Sequence, residues 1–92
     1  MSAQTDKEKS FRTIPVIASF SAEGKMVPIV LGLRLEDGSF ARIHVDKVMK
    51  TERKCGNFLV YDCLITVLEN AKTVIQVGYD EERNQWRILG KR

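Results

Sequence analysis

Residues that usually carry catalytic or metal-binding chemistry are scarce in this sequence. Its 92 residues include a single histidine, His44, and two cysteines, Cys55 and Cys63. The spacing of the cysteines matches no zinc knuckle, in which neighbouring ligands lie about two to four residues apart. His44 has Asp46 close by in sequence but no nucleophile motif, and the six glycines form no phosphate-binding loop. We therefore expect no catalytic residues, no metal site and no small-molecule cofactor.

Long apolar runs are also missing. No stretch approaches the roughly 18 apolar residues that a helix needs to cross a bilayer. The opening segment, MSAQTDKEKS, is polar and lacks the apolar centre of a secretory leader. We therefore expect a cytoplasmic protein with reduced thiols and no membrane contact.

Length and composition favour one small globular domain. Independent cores usually need at least about 50 residues each, so a chain of 92 residues suits one core. The contents of 43% hydrophobic and 29% charged residues argue against global disorder or a fibrous repeat. Residues 1–11 are nearly all polar, so we predict a flexible tail there and a single β domain over residues 12–92.

The pattern beyond residue 12 is typical of antiparallel β-structure. Short runs rich in β-branched and aromatic residues alternate with turn residues at intervals of about ten residues. The predicted strands are residues 14–20, 27–35, 40–48, 58–68, 73–79 and 85–89. About six antiparallel strands of this length predict a mainly β fold, either a compact barrel or a two-sheet sandwich.

The second and third strands predict a specific register. A two-residue turn would pair Leu33 with Arg42 and so place charge in the core. A three-residue loop at 36–38, with Gly38 in the left-handed conformation, aligns the apolar faces instead. The expected pairs are then Leu33 with Ala41, Leu31 with Ile43 and Ile29 with Val45.

The fourth predicted strand has two apolar faces and one competing interpretation. Its predicted inward face is Leu59, Tyr61, Cys63, Ile65 and Val67, while Val60 and Leu64 make the other face apolar too, which suggests cover on both sides. Leu64, Leu68, Ala71 and Ile75 also repeat at helical spacing, so a helix over Asp62–Gln76 is the alternative. The density of β-branched residues favours strands.

Positive charge is concentrated between residues 42 and 54. The formal net charge is +3, the sequence pI is near 9.0, and five basic residues outnumber the acids Asp46 and Glu52 in this stretch. They are Arg42, Lys47, Lys50, Arg53 and Lys54, and we expect them to run from a strand into a loop. Such a surface is a candidate for sequence-independent contact with nucleic-acid phosphates.

Several segments resemble a known group of proteins. They are PVIASFSAEGKMVPI from residue 15, EDG at 36–38, IHVDKV at 43–48, YDCLI at 61–65 and WRI at 86–88. Their order is similar to that in small uncharacterised bacterial all-β proteins, mostly from anaerobic Gram-positive bacteria. The resemblance implies a compact β domain and carries no reaction or functional residue with it.

These observations together predict a small non-catalytic binding module. Its partner would be another protein, or a second copy of the chain, bound through an uncovered edge strand or an apolar patch that includes Val30 and Leu64. Nucleic-acid binding through the five basic residues is the alternative.

Overall fold

Strands make up most of the part of the chain that the computed structural model describes, which is residues 13–67 and 70–91. They are β1 (Thr13–Ile14), β2 (Val16–Phe20), β3 (Met26–Arg34), β4 (Phe40–Lys54), β5 (Phe58–Thr66), β6 (Lys72–Asp80) and β7 (Gln85–Lys91). All neighbouring strands are antiparallel and form one curled, half-barrel sheet in the order β1-β7-β6-β5-β4-β3-β2. The predicted mainly β class and single domain are confirmed, with seven strands in place of six. The predicted polar tail lies outside the described residues.

The seventh strand arises because Pro15 divides the first predicted strand in two. Proline has no N–H to donate to a ladder, so pairing is interrupted there. β1 pairs with β7 and β2 pairs with β3, so the two outer strands of the sheet are consecutive pieces of the chain. The Gly32 N–H donates to the Pro15 carbonyl at 2.9 Å, and a side chain at Gly32 would meet Pro15 Cγ at 2.7 Å. Glycine at this position therefore allows the chain at Pro15, between β1 and β2, to pass close to β3.

The hairpin of β3 and β4 has the predicted turn and most of the predicted register. Gly38 has a φ of 92°, and the pairs Leu33 with Ala41 and Leu31 with Ile43 are confirmed. The third expected pair, between Ile29 and Val45, is wrong because the β3–β4 ladder ends at Val30 and His44. A bulge opposite β2 makes Ile29 an extra residue in β3, and its side chain is 41% exposed.

β4 is longer than predicted and is shared between two partners. Residues 40–44 pair with β3 and residues 45–54 pair with β5, with bulges after Val45 and Val48. The prediction that residues 49–54 form a loop is wrong, because pairing with β5 overrides the weak strand preference of this charged segment. Among the described residues, the other edge of β4 has no partner after residue 44. Bulges and lysines along such an edge discourage pairing with a second chain.

β5 and β6 form a regular hairpin, which confirms the strands and excludes the alternative helix over Asp62–Gln76. Their ladder runs from the Phe58–Asp80 pair to the Thr66–Lys72 pair. The predicted inward side chains Tyr61, Cys63 and Ile65 are buried, but Val67 lies beyond the end of β5 and is 39% exposed.

The core lies on the concave side of the sheet around the middle of β5. Trp86 packs against Tyr79 and Tyr61, with ring centroids 4.8 and 5.5 Å away. The convex side of β5 is also covered, as its two apolar faces predict: Val60 is buried, and the ring of Phe58 lies over Gly78, where no side chain occupies the space.

Candidate binding site

A cavity of about 660 Å³ lies at the end of the sheet where β3 and β4 separate. The separation begins after the Val30–His44 pair, beyond which β4 follows β5 while β3 stays with β2. The β2–β3 hairpin therefore faces β5 and β6 across an open space. The cavity is lined by Phe20, Gly24, Lys25, Met26, Val27, Thr51, Arg53, Leu59, Tyr61, Tyr79, Glu81 and Asn84.

Tyr61 joins the two sides of this space. It extends from the inward face of β5, and its hydroxyl donates a hydrogen bond of 2.7 Å to the Met26 carbonyl at the start of β3. The side chain is 1% exposed, and burial raises the pKa of its hydroxyl. The hydroxyl proton is therefore used in a hydrogen bond that holds the β2–β3 hairpin over the concave face of the sheet.

The turn between β6 and β7 forms one rim of the cavity. Tyr79 donates a hydrogen bond of 2.7 Å to Asn84 Oδ1, and Asn84 has a φ of 54°, a left-handed conformation that asparagine adopts more readily than most residues. Asp80 organises the turn by accepting hydrogen bonds from the Glu82 and Arg83 N–H groups at 3.0 and 3.2 Å. Partial burial opposes ionisation of Asp80, but its hydrogen bonds outweigh this effect and lower its pKa.

An ion pair between Arg53 and Glu81 joins β4 to the turn between β6 and β7 beside the cavity. Two guanidinium nitrogens of Arg53 approach the two carboxylate oxygens at 2.7 and 3.3 Å, and one of them also donates to the Gly56 carbonyl at 2.7 Å. The hydrogen bond from Arg53 lowers the pKa of Glu81. This two-point pairing fixes both side chains and makes their charges cancel.

The five predicted basic residues do not converge. Lys47, Lys50 and Lys54 lie on the convex face of β4, opposite Leu64, Asp62 and Phe58 of β5. Arg53 pairs with Leu59 on the other face and lines the cavity, and Arg42 lies on the first half of β4 beside Gly32. Glu52 forms ion pairs with Lys50 and Lys54 at 3.6 and 3.4 Å, which reduces the positive charge of the convex face.

His44 and the cysteines lie apart from the cavity lining. His44 is exposed on the strand pair of β3 and β4, and its neighbour Asp46 instead accepts hydrogen bonds from Thr66 at 2.6 Å and Lys72 at 3.0 Å, which lower the pKa of Asp46. Cys63 is fully buried, and burial raises the pKa of its thiol to about 11.

Within residues 13–67 and 70–91, no three His, Cys, Asp or Glu side chains gather into a metal-binding group. The same part of the chain has no helix long and apolar enough to cross a membrane.

The patch expected around Val30 and Leu64 is not continuous. Val30 lies beside His44, and Leu64 lies beside Lys47 on the far side of β4. Two exposed apolar side chains, Ile17 and Phe40, instead border a shallower hollow of about 320 Å³ next to Arg42, together with the half-buried Val30.

The sequence pattern does not predict the cavity. It places Tyr61 on an inward face and Arg53 in a basic surface, because alternation gives the face of a residue but not the space in front of it. The bulges that turn β4 away from β3 follow no simple sequence rule. The partner of Arg53, Glu81, lies in a turn where acidic residues are expected in any case.

Comparison with known proteins gives no relative. No protein-family model matches the chain, and no curated protein or solved structure matches it. The resemblance to small bacterial β proteins stays a prediction, and the function is inferred from the geometry of the site.

Proposed function

We propose that the protein is a small non-catalytic binding module whose ligand enters the cavity between the β2–β3 hairpin and β4–β6. The observation that carries this proposal is the cavity itself. Its volume of about 660 Å³ lies within the range of roughly 300–1,000 Å³ typical of ligand sites. Its wall is mainly apolar and aromatic, with a few polar groups at the rim, which is the usual composition of such sites.

The state of the polar groups supports binding without catalysis. The hydroxyl protons of Tyr61 and Tyr79 are donated within the protein, and Arg53 and Glu81 are held by each other. Groups fixed in this way orient a ligand and shape the space around it. A general base or nucleophile needs an ionisable group that is free to exchange a proton with the substrate.

The proposal is tested with an uncharged apolar fluorophore, N-phenylnaphthylamine, which brightens on entering an apolar site. We expect saturable binding to the wild-type protein and loss of binding in Thr51→Phe, because Thr51 faces the cavity and the larger ring fills it. Glu52→Phe is the matched control, since the neighbouring residue lies on the convex face of β4.

The two variants make the result decisive. Equal binding by Thr51→Phe and Glu52→Phe would place the fluorophore elsewhere on the surface and refute the proposal, as would absence of binding to the wild-type protein. Circular dichroism of each variant confirms that the fold is retained.

Contact with a protein partner is part of the same proposal. Phe20 is 69% exposed beside the cavity, so a partner would contact the protein at the cavity mouth. Sedimentation at several protein concentrations separates a second copy of the chain from a different partner. A cytoplasmic location accords with the free thiols of Cys55 and Cys63.

Sequence-independent nucleic-acid binding is the second candidate. The observation in its favour is that Lys47, Lys50 and Lys54 share the convex face of β4. Retardation of single- and double-stranded oligonucleotides that weakens steeply with added salt would support it. Absence of retardation at low salt would remove it.

A further inference from the structure

The charges around the cavity leave a positive excess. Lys25, Arg53 and Glu81 are the charged residues of its lining. Arg53 and Glu81 form a two-point ion pair, so their charges offset each other. Lys25 lies in the turn between β2 and β3, and its ammonium group pairs with no acid in the part of the chain that is described. Counting the described residues alone, the lining therefore carries one uncompensated positive charge.

The hydroxyls of Tyr61 and Tyr79 offer a ligand no proton, because their protons are donated to the Met26 carbonyl and to Asn84 Oδ1. The remaining donors at the rim are the amide of Asn84 and the ammonium group of Lys25. Because Asn84 accepts through its oxygen, its amide N–H groups are left to donate. Together with the Lys25 ammonium, they form a donor set suited to an anionic oxygen.

The other side chains of the cavity wall favour a ligand whose main part, here called its body, is a hydrocarbon chain or an aromatic ring. Leu59, Met26 and Val27 contribute aliphatic surface, and the rings of Tyr61 and Tyr79 add flat aromatic surface. Burial of apolar surface in such a cavity supplies most of the binding free energy, and a charged group at the mouth supplies selectivity.

Resting on the proposed function, we infer that the ligand is a small organic acid with an apolar or aromatic body. The body packs against Leu59, Tyr61 and Tyr79, and the carboxylate lies at the mouth, where Lys25 and the amide of Asn84 are the available donors. An amine with the same body meets the like charge of Lys25 and binds more weakly.

The inference is tested with three compounds that share one body and differ in the head group: phenylbutyrate, phenylbutanol and phenylbutylamine. Titration calorimetry at neutral pH is expected to rank their affinities acid, alcohol, amine. An exposed ion pair is worth about 0.2–1 kcal/mol, so Lys25→Gln should weaken phenylbutyrate about 1.4-fold to fivefold and leave phenylbutanol unchanged. Lys47→Gln is the control for net charge, because it removes a lysine from the convex face and should alter neither affinity.

The outcomes separate this inference from the proposed function. Equal affinities for the acid and the alcohol, or equal losses in Lys25→Gln and Lys47→Gln, would overturn the organic-acid inference. The cavity would then still be a binding site if Thr51→Phe abolishes binding of phenylbutanol. Absence of binding of all three compounds, together with absence of fluorophore binding, would overturn both.

Discussion

The buried thiol of Cys63 makes the stability of the fold sensitive to alkaline pH. Burial on the concave face of β5 raises its pKa from 9.0 to about 11. Between these values the unfolded chain releases the thiol proton while the folded chain keeps it, so the free energy of unfolding falls as the pH rises. One pKa unit corresponds to about 1.4 kcal/mol, which sets the full loss at about 3 kcal/mol above the folded pKa.

The assay is urea denaturation followed by circular dichroism at about pH 8 and about pH 11, on the wild-type protein and Cys63→Ala. At about pH 11, the free energy of unfolding should already have fallen by about 2 kcal/mol of this full loss. The other ionisable side chains are the same in both proteins, so the difference between the two losses reports the contribution of the thiol, including its electrostatic effect on Tyr61. We expect the wild-type protein to lose about 2 kcal/mol more than Cys63→Ala. Equal losses would show that the thiol ionises alike in the folded and unfolded chains.

Three further predictions address the packing. Tyr61→Phe should lower the free energy of unfolding by about 0.5–1.5 kcal/mol, because its hydrogen bond to the Met26 carbonyl is lost; an unchanged Tm would contradict that role. Gly78→Ala should be destabilising, since the added methyl group would lie against the ring of Phe58. Adding Phe58→Leu should recover part of the loss, and strictly additive effects would refute the contact. A thiol reagent should modify exposed Cys55 in the native protein and Cys63 only after unfolding, as peptide mass spectrometry would show; rapid labelling of Cys63 would contradict its burial.

Local patterning predicts those parts of the fold whose causes lie close together in sequence. Alternation of apolar residues identifies the β5–β6 hairpin, and the position of Gly38 identifies the bulged turn. Both depend on neighbours within one hairpin. The covered convex face of β5 follows from Val60 and Leu64, which lie on the side opposite the core.

The parts that were not predicted depend on contacts between distant segments. Residues 49–54 form a strand because β5 offers a backbone to pair with, although their composition suggests a loop. Lys47 joins Lys50 on the convex face because the bulge after Val45 shifts the alternation of β4 by one residue. The bulge after Val48 restores the alternation, so Arg53 faces the cavity on the same side as Val45. Closeness in sequence alone groups Arg53 with the neighbouring lysines, as the predicted basic surface did.

The division of the first strand at Pro15 has a consequence for the order of folding. Thr13 pairs with Arg87, near the opposite end of the described chain, whereas β2 to β7 pair with strands that follow or precede them directly. Closing so long a loop carries a larger entropic cost than forming a hairpin. The six-strand meander is therefore expected to assemble first, and docking of β1 on β7 to be the final step. An experiment that follows exchange of backbone amide hydrogens during refolding would find β1 protected last.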